Sequence, residues 1–368
     1  MRQSQKPTYL LASGGTGGHL FPALSLGEEL KDYGRKVYLV TDNRGQALNN
    51  ASCFEEIFIR PIKRRAPIIG RLMLYLSLFW HTLYCYWLYR KLKPTIVIGF
   101  GGYPSLPPLL AAQLSGIPTV IHEQNAVLGK ANRLLSKRAF CIATSFPETR
   151  GANSNSVCTG NPVRPEILAL KNSPYTPSQS NDPFHLLIIG GSQGARIFSE
   201  TVPQTLINLP LELQRRLKIK QQCRPEYLAQ TKAAYRQSLL DVDIQPFFKN
   251  MDELYASSHL VIARSGASTV AELAVVGKPA LLVPYAASLE GDQWYNAQIY
   301  AKAGAAWVLR EKSFTPSTLS EQLIILMSNP EKLTKAAKAM RELAQPEAST
   351  NLANTIAQVI GDLLTVKM

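Results

Sequence analysis

Two glycine-rich loops, GGTGGH at Gly14–His19 and GGSQGA at Gly190–Ala195, each follow a short apolar run and precede a helical one. Glycine lets a chain leaving a strand turn tightly, and the next helix offers free N–H groups and a partial positive charge. That geometry suits an anion such as a pyrophosphate. With one such device in each half of a 368-residue chain, the sequence predicts two nucleotide-binding-type lobes facing each other across a cleft.

The intervening pattern agrees with that architecture. In the first half, strands are expected at Tyr9–Ala12, Lys36–Thr41, Ile57–Ile59, Thr95–Phe100 and Pro118–His122. A helix is expected from Pro22, read as an early helical position, to Asp32 with Gly34 as its stop. A second spans Ile68 to Leu92 and stops at Pro94. A further glycine turn, GFGGYPS, occupies Gly99–Ser105, and EQN (Glu123–Asn125) follows the PTVIH strand. TGNPVRP (Thr159–Pro165) reads as a stiff hinge, and Asn172–Pro183, rich in Ser, Pro, Asn and Gln, as an exposed connection. In the second half, strands are expected at His185–Ile189, Leu217–Gln221, Asp243–Phe247, Leu260–Ala263 and Ala280–Pro284. Such β–α alternation implies parallel sheets with right-handed crossovers. The last helices, Pro316 to Leu364, have no strand after them and are expected to pack back across the domain junction.

A net charge of +14 implies an acidic partner. The charge is concentrated: from Ile57 to His122 there is no Asp or Glu, while Arg60, Lys63, Arg64, Arg65, Arg71, Arg90, Lys91 and Lys93 fall there. Interleaved with them is Leu72–Tyr89, eighteen residues without a formal charge. Length alone suggests a membrane span. Its tyrosines and His81, and its place as a β–α–β crossover, argue instead for a helix with one face on the sheet and the other on an anionic bilayer surface. That interleaving also disfavours a nucleic-acid partner, which calls for a polar basic face. Five cysteines without C-x-x-C spacing fit a reducing compartment.

His19 stands at a helix start beyond the carboxyl end of a strand, where α/β ligands bind and where a helix terminus disfavours imidazolium. It is therefore a candidate general base. GGSQG also satisfies G-x-S-x-G, so a Ser192 hydrolase competes with a phosphate loop, although the only later histidine is His259. In ARSGASTVAEL (Ala263–Leu273), Glu272 shares a helical face with Ser268 and Thr269. It is read either as a partner of ribose hydroxyls one turn from a helix-bound phosphate or as part of a capping box. Asp241-Val242-Asp243 spells a metal–diphosphate signature but is expected only to begin a strand.

GGTGGHLFPAL, GFGGYPS, HEQN, GNPVR, GGSQGA, RSGASTVAEL and QWYNA, in this order, resemble the MurG family of bacterial N-acetylglucosaminyltransferases, which convert lipid I to lipid II. The resemblance implies the α/β GT-B fold of two Rossmann-like domains. An N-terminal acceptor and membrane-binding domain would span 1–163, with a helix at about 346–368 packed back on it. A UDP-GlcNAc-binding domain would span 164–345. For the donor, the resemblance implies contacts from Thr16, Gly17, Gly18, Asn125, Arg164, Ser192, Phe248 (through its backbone), Ala267, Ser268, Thr269, Val270, Ala271, Glu272 and Gln293. Gly101, Gly102 and Tyr103 fall on the acceptor side. His19 would take the acceptor proton, with Glu123 as a weaker candidate. Neither cofactor nor metal is implied. The expected partners are UDP-GlcNAc, lipid I and the anionic membrane surface through segment 60–93, at the cytoplasmic face of the inner membrane. Asp292 and Gly291 depart from residues common in relatives, which weakens the sugar-side carry-over. A related GT-B enzyme acting on another lipid would share the donor motifs but not GFGGYPS with HEQN.

Overall fold

The computed structural model describes residues 7–43, 55–58, 67–191, 194–236 and 238–366. Ser192, Arg60, Lys63, Arg64 and Arg65 lie outside the described residues. The chain forms two compact units, Met1–Arg164 with Glu347–Met368, and Pro165–Pro346.

The first unit is built on parallel strands β1 (Thr8–Ala12), β2 (Lys36–Thr41), β3 (Glu55–Phe58), β4 (Ile96–Gly99), β5 (Thr119–Glu123), β6 (Cys141–Thr144) and β7 (Ser156–Cys158). Their order is β3-β2-β1-β4-β5-β6-β7, so the direction of winding reverses between β1 and β4. Ligands of open α/β sheets bind beyond the strand ends at such a reversal. Both unit-one glycine loops leave from this point.

Alternation along each strand supplies two cores. Tyr9 and Leu11 face Leu20, Ala23, Leu26 and Leu30 of α1 (Gly17–Asp32), together with Leu352, Ile356 and Val359 of the C-terminal helix Ala348–Val366. Leu10 and Ala12 face Cys85 and Tyr89 of α2 (Pro67–Leu92), Leu109 of α3 (Leu106–Leu114) and Leu135 of α4 (Lys130–Leu135). Burying Leu352 and Ile356 contributes about 1.5–3 kcal/mol each, enough to hold the chain end on this unit. The Thr350 hydroxyl also donates to Glu29 Oε1 at 3.0 Å.

Helix α1 begins earlier than the sequence suggests, at Gly17 with Thr16 as N-cap, and Pro22 lies inside it. Two glycines are poor helix formers and mask the start. Pro22 gives up only one hydrogen bond, to a carbonyl of the first turn. β6, β7 and a last strand at Ala306–Val308 are not legible in the sequence, because CIAT and SVC are short and partly polar and AWV is only three residues long.

The second unit contains β8 (Phe184–Ile189), β9 (Leu217–Gln222), β10 (Asp241–Gln245), β11 (Leu260–Ala263), β12 (Ala280–Leu282) and β13 (Ala306–Val308), ordered β10-β9-β8-β11-β12-β13. Here the reversal falls between β8 and β11, again where glycine-rich loops leave the sheet. Helices α5 (Arg196–Leu206), α6 (Ala267–Val276) and α7 (Asp292–Lys302) start from those loops or close to them. Phe198, Val202 and Leu206 of α5 pack on Phe184, Leu186 and Ile188, and Leu319 and Leu323 join the same core. β10 begins two residues before the expected Asp243, since Lys218 and Lys220 bind Asp241 and Asp243 across the strands at 2.7 and 2.9 Å. The D-x-D aspartates are therefore ion-paired strand residues on the open face of β10.

Candidate active site

In the first unit, the loops after β1 and β4 interlock through glycine backbone. Gly14 N donates to Gly101 O at 2.9 Å, and Phe100 N to Ala12 O at 2.8 Å. A Cβ on Gly102, whose φ is +77°, would lie 2.9 Å from Gly14 Cα, closer than carbon atoms approach. Only glycine fits there. His19, third residue of α1, rests in the notch so formed: a Cβ added at Gly14, Gly101 or Gly102 would meet its ring at 3.2, 3.4 and 3.3 Å. GGTGGH and GFGGYPS are thus one structure around one imidazole. In the second of these loops, the Tyr103 hydroxyl is buried without a hydrogen-bond partner among the described residues.

The end of β5 contributes the other wall. His19 Nδ1 lies 3.1 Å from Gln124 Oε1. Gln124 Nε2 lies 3.0 Å from His122 Nδ1 and 3.3 Å from His122 O. His122 Nε2 lies 2.9 Å from Gly160 O, in the GNPVR segment. His122 is fully buried, and burial pushes its pKa down to about 4. The adjoining Asn161 amide is buried, with neither polar atom paired among the described residues.

Glu123, the weaker candidate base, is 2% exposed. Its Oε1 accepts from Asn125 N at 3.0 Å and Asn125 Nδ2 at 3.3 Å, and its Oε2 from Gly129 N at 2.9 Å and Asn132 Nδ2 at 2.8 Å. Four donors occupy this carboxylate. Its geometry is that of a clamp holding Asn125 and the start of α4, rather than of a group open to a substrate proton. Arg164 closes the unit with its guanidinium 4.9 Å from the Phe21 ring centroid.

In the second unit, the loop after β8 is held by Gln222, which accepts from Gly190 N at 2.9 Å and donates to Gly191 O at 2.9 Å. A Cβ at Gly190 would come within 2.8 Å of Gly194 Cα, so the loop folds back on itself before α5 begins at Arg196. The hydrolase reading fails on topology. His259 lies opposite His185 at the start of the parallel β8–β11 pair, whereas Gly190 follows the far end. Five residues of strand, about 16 Å, separate that histidine from the loop carrying Ser192. His259 Nδ1 is also engaged, accepting from His185 N at 2.8 Å.

Beyond β11, Arg264 anchors the neighbouring loops. Its guanidinium donates to Val283 O at 3.0 Å and pairs with Glu311 at 2.7 Å, and Glu311 Oε2 accepts from Ala286 N at 2.7 Å. Ser265 Oγ donates to Gln293 O at 2.8 Å, and Tyr285 N donates to Gln293 Oε1 at 3.0 Å. Gln293 is therefore fixed at the start of α7, after two consecutive left-handed residues, Glu290 and Gly291. Gly266 caps α6 without a side-chain bond, so Ser268, Thr269 and Glu272 do not form a capping box. Ala267 and Val270 are buried, and Ser268, Thr269 and Ala271 half-buried. Glu272 is buried and receives the Tyr255 hydroxyl at 3.1 Å. Phe248 is buried too, so a contact from it falls to the backbone.

Sequence reasoning missed His122, Gln124, Asn132 and Tyr255, which contact candidate residues, and Gln222 and Arg264, which hold the loops after β8 and β12. HEQN carried the only signal for the first two, since polar residues closing an apolar strand call for a reason. Among the described residues no His, Cys, Asp and Glu cluster has metal-ligand geometry.

The outward face of α2 is unusual for a crossover helix. Phe79, Trp80 and Trp87 are 61%, 63% and 65% exposed, with Tyr75, Leu76, Leu83 and Tyr84 beside them. No described helix is long and apolar enough to cross a membrane.

The Glycosyltransferase family 28 N-terminal domain matches residues 9–144, and the family 28 C-terminal domain matches residues 185–355. The chain is 45% identical over 361 residues to the UDP-N-acetylglucosamine--N-acetylmuramyl-(pentapeptide) pyrophosphoryl-undecaprenol N-acetylglucosamine transferase of Methylobacterium sp. (strain 4-46), covering 96% of this chain and 97% of that one. A Brucella canis protein of the same name is 46% identical over 365 residues, covering 97% and 95%. Among solved structures, Acinetobacter baumannii MurG superposes with a TM-score of 0.76 at 32% identity over 96% of this chain and 99% of that one. The glycotransferase of kitacinnamycin, TM-score 0.73 at 15% identity, shares the fold.

Proposed function

The chain belongs to glycosyltransferase family 28, and from that membership we propose that it transfers N-acetylglucosamine from UDP-N-acetylglucosamine to lipid I, N-acetylmuramoyl-(pentapeptide)-pyrophosphoryl-undecaprenol, making lipid II for peptidoglycan. The observation that carries this reading is identity of 45–46%, end to end, with relatives named for that transfer. The C4 hydroxyl of the muramoyl sugar attacks the anomeric carbon of GlcNAc. One displacement inverts the α-linked donor to a β-1,4 product, and UDP leaves.

His19 is the proposed general base. The glycine loops that seat its imidazole beyond the end of β1 support that role, and Gly101, Gly102 and Tyr103, whose hydroxyl has no partner among the described residues, are the proposed acceptor contacts. On the donor side, the turn from Ala267 to Ala271 would receive diphosphate oxygens, helped by Arg164 and by Ser192 from the loop after β8. Backbone N–H groups aimed at developing charge stabilise a leaving group without reorganising. Glu272, oriented by Tyr255, would hold the ribose hydroxyls, the Phe248 backbone the uracil, and Gln293 the sugar hydroxyls. Thr16, Gly17, Gly18 and Asn125 are proposed donor contacts on the strength of the motif match.

The lipid acceptor calls for a surface. The aromatic face of α2, with Arg90, Lys91 and Lys93 at its end, is proposed to lie on the anionic cytoplasmic leaflet, the helix resting at the interface rather than spanning it.

The test is transfer of labelled GlcNAc from UDP-GlcNAc to a lipid I analogue, with wild type and Glu272→Ala. Wild type should yield lipid II. The variant should lose roughly 10- to 100-fold in kcat/KM, the scale of one hydrogen bond to a charged group. Absence of product, or a variant as active as wild type, contradicts the assignment.

A further inference from the structure

We propose that His122 and Gln124 act as positioning residues that lock His19 in its Nδ1–H tautomer, so that the Nε2 lone pair always faces the acceptor hydroxyl. The inference rests on His19 being the base and adds how that base is kept in its working form.

Hydrogen positions follow from a chain of contacts anchored at both ends by groups of fixed role. A carbonyl oxygen only accepts, so His122 Nε2, 2.9 Å from Gly160 O, carries a proton. His122 O also only accepts, so the end of the Gln124 amide 3.3 Å from it is the nitrogen. That nitrogen therefore donates across 3.0 Å to His122 Nδ1, which must be bare. The opposite amide orientation would set two oxygens against each other and require a doubly protonated imidazole in a fully buried site. Burial holds His122 neutral, its pKa near 4. With the amide direction settled, Gln124 Oε1 faces His19 Nδ1 at 3.1 Å and can only accept, so Nδ1 bears the proton. Neutral His19 then has one free lone pair, at Nε2.

Free imidazole side chains favour the Nε2–H form, in which that lone pair is missing. The relay reverses this preference with a neutral amide, which fixes direction and adds no charge beside the site. Gln124 itself is 1% exposed, and Phe100 lies against His122 with ring centroids 5.4 Å apart, so the relay sits in packed surroundings. Asn132, held by Glu123, also reaches His122 O at 3.5 Å, tying the relay to the clamp beneath it.

The experiment is nitrogen NMR of full-length protein labelled with 15N-histidine, above the imidazole titration range, with the His19 signals identified by their loss in His19→Gln. The expected spectrum has a protonated, pyrrole-type Nδ1 and a bare, pyridine-type Nε2. An Nε2–H form, or the mixture seen in free histidine, overturns the proposal, and this reading needs no variant of the relay to fold. In Gln124→Met the tautomer should revert. Its kcat should fall on the order of 10–100-fold, the scale for partners that orient an imidazole, with KM for UDP-GlcNAc unchanged. Reversion with unchanged kcat, or lost kcat with an unmoved tautomer, also overturns it. His19→Asn separates the two claims. If that variant turns over normally while wild type shows the Nδ1–H form, the base assignment fails and the relay geometry stands.

Discussion

Replacing Glu123 by Gln decides between a base and a clamp, because the two roles move different observables. The wild-type carboxylate takes two donors on each oxygen, Asn125 N and Nδ2 on one, Gly129 N and Asn132 Nδ2 on the other. A glutamine keeps the shape but has one accepting oxygen. Its NH2 must point at one of the two donor pairs, and each pair includes a backbone N–H that cannot rotate away. One buried N–H is then orphaned, costing about 1–3 kcal/mol, and the surviving bonds lose their charge assistance. With relaxation of the Asn side chains, the sum is about 2–5 kcal/mol of stability in the first unit. At roughly 2–4 °C per kcal/mol for a unit of this size, its melting temperature should drop by about 5–15 °C. Thermal unfolding by circular dichroism measures this directly, beside kcat at a temperature where both proteins are folded. A clamp predicts the large shift in melting with a modest loss of turnover. If Glu123→Gln melts with wild type and loses roughly 10²–10⁴-fold in kcat, the clamp argument is wrong and Glu123 is the base.

Serine at both Trp80 and Trp87 removes two side chains that are about two-thirds exposed, and should abolish sedimentation with vesicles containing anionic lipid while sparing transfer to a short-chain soluble acceptor. Retained vesicle binding would move the membrane surface elsewhere. Leu352→Ala should cost about 2–5 kcal/mol of urea stability, since the C-terminal helix seals one face of the first sheet. A cost below about 1 kcal/mol would mean that this helix end adds little. His122 makes stability depend on pH with a definite sign. Its pKa falls from 6.5 to about 4 through burial, so the unfolded chain takes up a proton first. Its contribution is complete above about pH 6.5 and is lost as pH falls toward 4, by roughly 3 kcal/mol in all. The drop in urea midpoint over that window should be smaller in His122→Asn, and equal slopes would refute the linkage.

The legible parts of this chain are those where a residue type has one physical use. KVYLVT and LVIA could only be buried strands, and both match the observed bounds. The glycine loops announced strand–helix turns because a Cβ at Gly102 or Gly190 has no room. Less was legible where a residue has several uses. Gly17 and Gly18 look like loop but begin a helix, and Asp243 looked like a strand start although cross-strand lysines recruit Asp241 as well. The HEQN carboxylate stands in the sequence as a second candidate base, and only coordinates reveal the four donors that occupy Glu123. Gln124 was silent for a similar reason. An amide earns meaning from what its two ends face, and those partners, His19 and His122, lie on different elements.

The central claim is that the second unit grips a uridine diphosphate by backbone and side-chain donors at its sheet reversal, without a cation. Calorimetric titration of UDP into the purified chain, with a chelator present throughout, addresses it most directly. The account predicts saturable one-to-one binding that is unchanged by the chelator and weakened in Glu272→Ala. No heat of binding, or binding restored only when a divalent ion is added back, would contradict it.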